Sequence, residues 1–404
     1  ALMLAVHADQ MQAYPNTARQ FLREGVYAYR PAVLGPADLH KQPALADTLE
    51  AISRHGPDAF YKGPIAASIA KAVREAGGIL SEADLAGYRA RAAAPGRILY
   101  RGHRIEHLAQ GAPTMAQFFN TLSHWDMAAM RPREPKRLHL LIEAFRRAWY
   151  HRGLYNGDDT QVSGPWAGLA SSGFAAAIAR AIDSQRQTPV DKAIDPYAHE
   201  TRAAAGTAAV GAPAGGAEGT THISAADAEG CMVALTETVV GNYGCLVTSE
   251  TGVLLNNGMI AFAPIPGQPN SIAPGKRPAT NMSPLLVFDS RGAPLLTLGA
   301  SGGRKIMPAV AQILNLVLDH GLGIQEAVAH PRFDLEGDKV LIDSRFGGDV
   351  AERLRAMGHA VEMRAEDLST FEFGNACGIL RAPGGELRAG VNPFQMTFAA
   401  GLDG

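Results

Sequence analysis

The chain has 404 residues, of which 47% are hydrophobic and 19% charged, and its formal net charge is −2. That balance suits a globular protein with a large core and gives no basic footprint for nucleic acid or a membrane surface. Three cysteines without a C-x-x-C pair and thirteen histidines without H-E-x-x-H argue against a disulfide framework or a zinc site.

Ala1-Leu2-Met3-Leu4-Ala5-Val6 is apolar but short. It lacks the basic leader and small-residue cleavage site of a signal peptide, and no stretch approaches the ~18 apolar residues of a membrane span. The compartment, cytoplasmic or periplasmic, stays open. Apolar spacing of three and four predicts helices over 43–55 and 64–76, each opened near a proline and followed by a glycine, Gly56 and Gly77. Ser81-Glu82-Ala83-Asp84 reads as an N-cap and first turn. Residues 98–107 predict a hairpin turning near Arg101-Gly102, and two longer amphipathic helices follow over about 113–124 and 134–152. The basic residues from Arg131 to Lys136, with Arg146 and Arg147, read as a solvated helix face because Glu143 is interleaved with them.

Residues 203–219 are rich in Ala and Gly and read, on their own, as an interdomain linker. Beyond them, 221–226 alternates like a strand, Asp227-Ala228-Glu229-Gly230 is a turn, and 231–240 is β-rich. A three-residue loop at 228–230 would place Thr220 opposite Thr238. A four-residue loop would place it opposite Glu237, with Thr238 diagonal; either brings the two threonines within cross-strand reach. Further β-rich runs at 251–255, 284–288 and 294–298 precede a helix over 307–320. Helical and strand pieces at 322–329 and 339–343, a helix at 348–357 and a strand pair within 376–391 complete a layered α/β pattern.

A threonine hydroxyl is a weak nucleophile that needs a base at hydrogen-bond distance. If the Gly219–Thr220 bond breaks, the Thr220 α-amine, with a pKa near ~7.7–8.0, supplies that base on the same residue. A glycine-rich segment able to distort at that bond suits cleavage by the Thr220 hydroxyl; the plainer role is that Thr220 only opens a strand. Gly299-Ala300-Ser301-Gly302-Gly303-Arg304-Lys305-Ile306 joins a strand to a helix. It lacks phosphate-loop spacing, fits an oxyanion hole built from the Gly302 and Gly303 amides, and is equally an ordinary turn. Asn256-Asn257 and residues 278–284 either cap turns or line a polar pocket. His222 reads as a structural histidine, and Trp125, Trp149 and Trp166 as core or interface residues.

Together these segments resemble the γ-glutamyltranspeptidase family, through Gly219-Thr220-Thr221-His222-Ile223-Ser224, Thr251-Gly252-Val253-Leu254-Leu255-Asn256-Asn257, Gly275-Lys276-Arg277-Pro278 with Met282-Ser283-Pro284, and Gly302-Gly303. Gly56-Pro57-Asp58-Ala59-Phe60-Tyr61, Gly77-Gly78 and Asp84-Leu85 with Tyr88 extend the likeness into the first half. The resemblance implies a four-layer αββα sandwich of the N-terminal-nucleophile hydrolase type. It also implies self-cleavage into residues 1–219 and 220–404, which stay associated, with further oligomerisation open. By position Thr220 is the nucleophile and Thr238 orients it. Gly302 and Gly303 form the oxyanion hole, Asn257 belongs to the substrate-binding pair, and Thr280 and Asn281 stand where a serine pair holds a substrate carboxylate. No metal or organic cofactor is implied.

Departures from the pattern bear on the substrate. γ-Glutamyl-specific members carry Gln and Asp after the Asn-Asn pair, where this chain has Gly258 and Ala261, and an expected Asn is Val240. The run through Pro269-Asn270-Ser271-Ile272-Ala273-Pro274-Gly275 looks more like the acylase and amidohydrolase branch, whose members act on glutaryl side chains or oxamate. A family segment with core strands and a carboxylate-binding arginine is expected ahead of residue 1, and its lack would leave a sheet edge unpaired. The expected activity is a self-processing amidohydrolase or acyltransferase acting on a small amide. The runner-up is a γ-glutamyltransferase acting on glutathione, and the rival of another class is a non-catalytic binding protein with this fold.

Overall fold

The computed structural model describes residues 2–31, 35–200, 219–367, 370, 372–395 and 397–401. The expected linker falls almost wholly on 203–218, outside them, whereas Gly219 and Thr220 lie within. Two compact units emerge, residues 1–92 with 239–258, and 93–238 with 259–404. Each therefore draws chain from both sides of the Gly219–Thr220 bond.

The first unit is helical. Pro43–His55 starts with its proline in the first turn, where no N–H is missed, and ends at Gly56 with φ of 74°. Gly63–Glu75 buries Ile65, Ala66 and Ile69, and Ser81 caps Glu82–Gly87 in a reciprocal box with Asp84. Leu2–Gln12 and Pro15–Phe21 precede these helices and were not legible as helices from spacing. Segment 239–258 is knitted in by Thr17, whose hydroxyl donates to Leu246 O at 2.6 Å and lies 2.9 Å from Thr248 Oγ1. The β-rich run expected at 251–255 is not a strand. Gly252 sits at φ of 83°, where a Cβ would fall 2.4 Å from Leu45 N, and a single bridge joins Thr248 to Leu254.

The second unit is built on a six-stranded sheet. Its strands are β1 (Gly96–Tyr100), β2 (His103–His107), β5 (Leu285–Phe288), β6 (Pro294–Ser301), β10 (Asn375–Arg381) and β11 (Leu387–Val391), antiparallel in that order. The β1–β2 turn has Arg101 at φ 50° and Gly102 at φ 78°, the left-handed pair that matches strand twist. Ala112–Leu122, Pro135–Tyr155 and Ile306–His320 supply helical core residues such as Phe119, Leu141, Val310 and Ile313, which join Ile105, Val287 and Leu298 of the sheet in one apolar cluster. The basic stretch on Pro135–Tyr155 is only partly a solvated face: Glu143 and Arg147 are buried and paired at 2.8 Å, because that helix is covered on several sides. A three-stranded sheet of β7 (Phe333–Glu336), β8 (Lys339–Asp343) and β9 (Ala360–Arg364) adds two strands that the sequence did not announce.

A two-stranded hairpin, β3 (Thr220–Ala226) and β4 (Met232–Thr238), packs against β6 and β10. The helix–sheet–sheet succession is that of the expected αββα class, with a second sheet of two strands among the described residues. Its outer face carries Ile223, Val233 and Leu235, 47–53% exposed. Its inner face is fastened to β6 by Thr297, whose hydroxyl donates to Val233 O at 2.8 Å, and by the His222 ring lying over Gly299. A Cβ at Gly299 would fall 2.3 Å from His222 Cε1. Gly299→Ala should therefore destabilise the protein by about 1–3 kcal/mol through overpacking. Urea unfolding checks this, and an unchanged midpoint would mean the ring does not hold the hairpin down.

Candidate active site

The hairpin loop is short because Asp227 closes it twice. Its backbone N–H donates to Cys231 O at 3.1 Å, and its carboxylate accepts from Cys231 N at 2.7 Å, while Gly230 takes φ of 98°. Three residues remain in the loop, and the register runs from Ala226 opposite Met232 to Thr220 opposite Thr238. Of the two registers read from the sequence, the first is the one observed.

At the open end of the ladder the Thr220 hydroxyl donates to Thr238 Oγ1 at 2.9 Å. Thr238 Oγ1 in turn donates to the carbonyl oxygen of Gly219 at 3.2 Å. The hydroxyl of residue 220 and the carbonyl that precedes it are thus joined through one bridging hydroxyl. Thr220 lines a cavity of about 410 Å³ together with Ser301, Asn375, Cys377, Thr397 and Phe398. Asn375 pairs with Ser301 across β10 and β6, and its Oδ1 accepts from Thr397 Oγ1 at 2.7 Å. Asn375, Thr397 and Phe398 carried no signal in the sequence. Asn375 opens a strand, and its own partner Ser301 lies far back in the chain on β6, so only the assembled sheet places it there.

Immediately after Ser301, Gly302 and Gly303 adopt φ of 121° and 60°. Consecutive left-handed residues suit glycine, and the helix Ile306–His320 begins three residues on. Gly302 also approaches Gly374 so closely that a Cβ would lie 3.1 Å from its Cα. The loop joins a strand to a helix one residue beyond the cavity wall.

Thr280 and Asn281 lie in the same unit but not on that wall. The Thr280 N–H donates to Gln110 Oε1 at 2.7 Å, and Asn281 Oδ1 accepts from Arg152 at 3.2 Å. Arg152 is buried, which pulls its pKa down to about 10, and it also holds Thr280 O. The Thr280 side-chain oxygen accepts from Met282 N at 3.1 Å, which leaves its proton available to a ligand. Asn257 belongs to the other unit, where its backbone N–H donates to Val239 O at 3.1 Å and its Oδ1 accepts from Gly241 N at 2.7 Å. Its side-chain oxygen is thus committed to shaping the turn at 239–241.

His222 is a structural group, as its sequence context suggested. Its Nδ1 meets Thr236 Oγ1 at 2.8 Å and its Nε2 meets Ser224 Oγ at 3.0 Å, so both ring nitrogens are occupied on the hairpin's inner face. Burial pushes its pKa down to about 4. Among the described residues no group of three or more His, Cys, Asp or Glu could hold a metal ion, and no helix is long and apolar enough to cross a membrane.

Known proteins resemble this chain along most of its length. The family model described as gamma-glutamyltranspeptidase matches residues 1–402. The glutathione hydrolase proenzyme of Escherichia coli (strain K12) is 31% identical, over 96% of this chain and 65% of that protein. The acylase ACY 1 proenzyme of Pseudomonas sp. (strain V22) is 32% identical, over 82% of this chain and 58% of its own length. The chain thus spans roughly three-fifths of the curated relatives it matches. Among solved structures, cephalosporin acylase from Bacillus halodurans superposes with a TM-score of 0.83 at 24% identity, covering 99% of this chain and 70% of that one, which establishes the fold.

The neutral state of His222 has a consequence for stability. Folded His222 binds its proton only below about 4, while an unfolded histidine does so near ~6.5. The unfolded state therefore takes up more protons between those values, and stability falls as pH drops through that window. Between pH 7 and pH 5 the wild type should lose about 2 kcal/mol more than His222→Gln. Urea unfolding at both pH values checks this; equal losses would place the imidazole in a solvated, chargeable state.

Proposed function

The chain belongs to the gamma-glutamyltranspeptidase family, and from that premise we propose that it is a self-processing N-terminal threonine amidohydrolase or acyltransferase acting on a small amide. The observation that carries the reading is the hydrogen-bond chain from Thr220 through Thr238 to the Gly219 carbonyl. In the precursor, Thr220 Oγ attacks the Gly219 carbonyl carbon while Thr238, already donating to the carbonyl oxygen, steadies the negative charge that develops there. The amide C–N bond breaks, the acyl group passes to Oγ as an ester, and the freed nitrogen takes up the hydroxyl proton. Water then hydrolyses the ester, leaving a carboxylate on Gly219 and a new N-terminal threonine.

Turnover repeats the same chemistry on an external amide. The α-amine of Thr220, with a pKa near ~7.7–8.0, takes the hydroxyl proton as Oγ attacks the substrate carbonyl. The Gly302 and Gly303 amides receive the oxyanion, and the protonated amine leaves. Water, or a second amine in the transferase reaction, then resolves the acyl-enzyme. Thr280 and Asn281, braced by Arg152 and Gln110, are the polar contacts proposed for the acyl group's far end.

The residues after the Asn256-Asn257 pair, Gly258 and Ala261, carry no side-chain acceptor for an α-ammonium, which favours an acyl group without one. On that reading the proposed substrate is nearer an acylase's than glutathione, and relatives of both kinds match the chain. The two cleaved segments are proposed to remain associated as one molecule.

Intact mass measurement under denaturing conditions tests the reading. Wild type should give two masses that sum to the precursor plus one water, and Thr220→Ala a single mass. Thr238→Val should slow cleavage about 10²-fold, since it removes both the polarising donor and the acceptor, whereas Thr238→Ser should stay close to wild type. Uncleaved wild type would overturn the enzyme assignment. Efficient release of p-nitroaniline from γ-glutamyl-p-nitroanilide would overturn the substrate assignment alone.

A further inference from the structure

The Gly302–Gly303 loop has no side chains of its own with which to hold its shape. Glycine at positive φ is permitted rather than fixed, and a free backbone of this kind samples many conformations. Something adjacent must hold it. The next residue, Arg304, reaches away from the cavity to β7, where its Nη1 donates to Asp334 Oδ2 at 2.7 Å and to Leu335 O. The pair is nearly dry, with side chains 13% and 2% exposed.

On this basis, and resting on the catalytic reading above, we propose that Asp334 is a positioning residue for the reaction, holding the Gly302–Gly303 amides in place through Arg304 and making turnover depend on its own ionisation.

Three features support a role beyond packing. Asp334 Oδ1 is buried and has no hydrogen-bond partner, an arrangement that a purely structural carboxylate would be poorer for keeping. The strand that carries it is itself rigid: β8 pairs with β7 along its length, placing Leu341 opposite Asp334, and Gln312 of the helix Ile306–His320 bonds both backbone groups of Phe333. The loop is also braced from its other side, because Gly302 abuts Gly374, and buried Arg332 donates to Gly374 O at 3.2 Å and to Phe373 O at 3.1 Å. Of these braces, the one through Arg304 ends on a group able to titrate near neutral pH.

Among the described residues, the charged side chains that act on Asp334 are Arg304 and Lys305, both on the loop side. Their attraction does not overcome burial, which leaves the Asp334 pKa raised to about 6. Above that value the carboxylate is charged and the ion pair is whole. Below it the carboxyl is neutral, its attraction for Arg304 weakens, and the loop loosens.

The test compares wild type with Asp334→Asn on one amide substrate between pH 5 and pH 9, after cleavage at Gly219–Thr220 has been checked by mass. Wild-type log kcat/KM should fall by about one per pH unit below the α-amine pKa and by about two per unit below pH ~6, as a second group protonates. Asp334→Asn keeps an acceptor for Arg304 but cannot titrate. It should hold a slope of about one throughout, with kcat lowered about tenfold at pH 8 and KM unchanged. The same two-step profile in both proteins, or an effect on KM alone, overturns the proposal. If Asp334→Asn does not melt cooperatively, Arg304→Lys takes its place: lower kcat with KM unchanged and the steepening moved to higher pH is expected, and wild-type kcat overturns the proposal. A folded wild type that is uncleaved and inert at every pH is a different result, which removes the catalytic reading and this positioning role together.

Discussion

The register of the β3–β4 hairpin is the constraint on which the rest of the site depends. Side chains alternate along a strand, so a slip of one residue would send the whole inner set to the outer face. In the observed register Thr220, His222, Ser224, Thr236 and Thr238 face inward, while Thr221, Ile223, Leu235 and Glu237 face out. A slipped β4 would press the Glu237 carboxylate against the sheet with nothing there to pair it. Three devices prevent that slip at different points: the Asp227 closure of the loop, the hydroxyl of Thr297 on Val233 O, and the fit of the His222 ring into the space that Gly299 leaves. The contact between Thr220, Thr238 and Gly219 is a product of those three, none of which touches it.

Much of this register was legible in the sequence because hairpin geometry is local. Asp227 to Gly230 is a recognisable turn, and counting outward from it leaves only two partners for Thr220. The terminal helices of the first unit and the strands β7 and β9 were not legible. Leu2–Gln12 has almost no amphipathic periodicity, and β7 and β9 are short runs whose strand character comes from pairing with β8 rather than from their own pattern. The run at 251–255 failed the other way, with apolar composition suited to a strand but Gly252 bent by a close backbone approach. Glu143 and Arg147 show the same limit: charge spacing on a helix cannot tell a solvated face from one that other elements cover. Among the candidate site residues, Thr220, Thr238 and the two glycines stood out through motif and position. Asn375 and Thr397 did not: Asn375 meets Ser301 only through long-range sheet pairing, and Thr397 is reached through its hydrogen bond to Asn375.

Loops without a hydrogen-bond ladder still need partners for their backbone carbonyls, and buried guanidinium groups meet that need on both sides of the second unit. Arg152 holds Thr280 O and Asn281 Oδ1, while Arg332 holds Val328 O, Phe373 O and Gly374 O with Glu366 nearby at 3.4 Å. A planar fork of five donors can satisfy several carbonyls at fixed angles, which an ammonium cannot. The cost of burying each charge is a reason to expect little net stability from these groups. What they contribute is a single conformation for polar segments that would otherwise have several, at the two places where a substrate's acyl group and its oxyanion are proposed to lie.

Cleavage between Gly219 and Thr220 would cut the chain without cutting the sheet. Strands β1 and β2 come from the segment before that bond, and β5, β6, β10 and β11 from the segment after it, yet β2 and β5 are hydrogen-bonded neighbours with Ile105 opposite Val287. The apolar cluster mixes the two segments in the same way, with Phe119 and Leu141 from one and Val310 and Leu298 from the other. In the first unit Thr17 plays the corresponding part by bonding to residues 246 and 248. Separating the products would expose that core and an unpaired strand edge on each, so the new terminus is released while its surroundings stay fixed. Thr220 can then gain a free α-amine at one end of a hairpin whose other contacts are those of the precursor, and the geometry that would direct the cleavage is the geometry available for turnover.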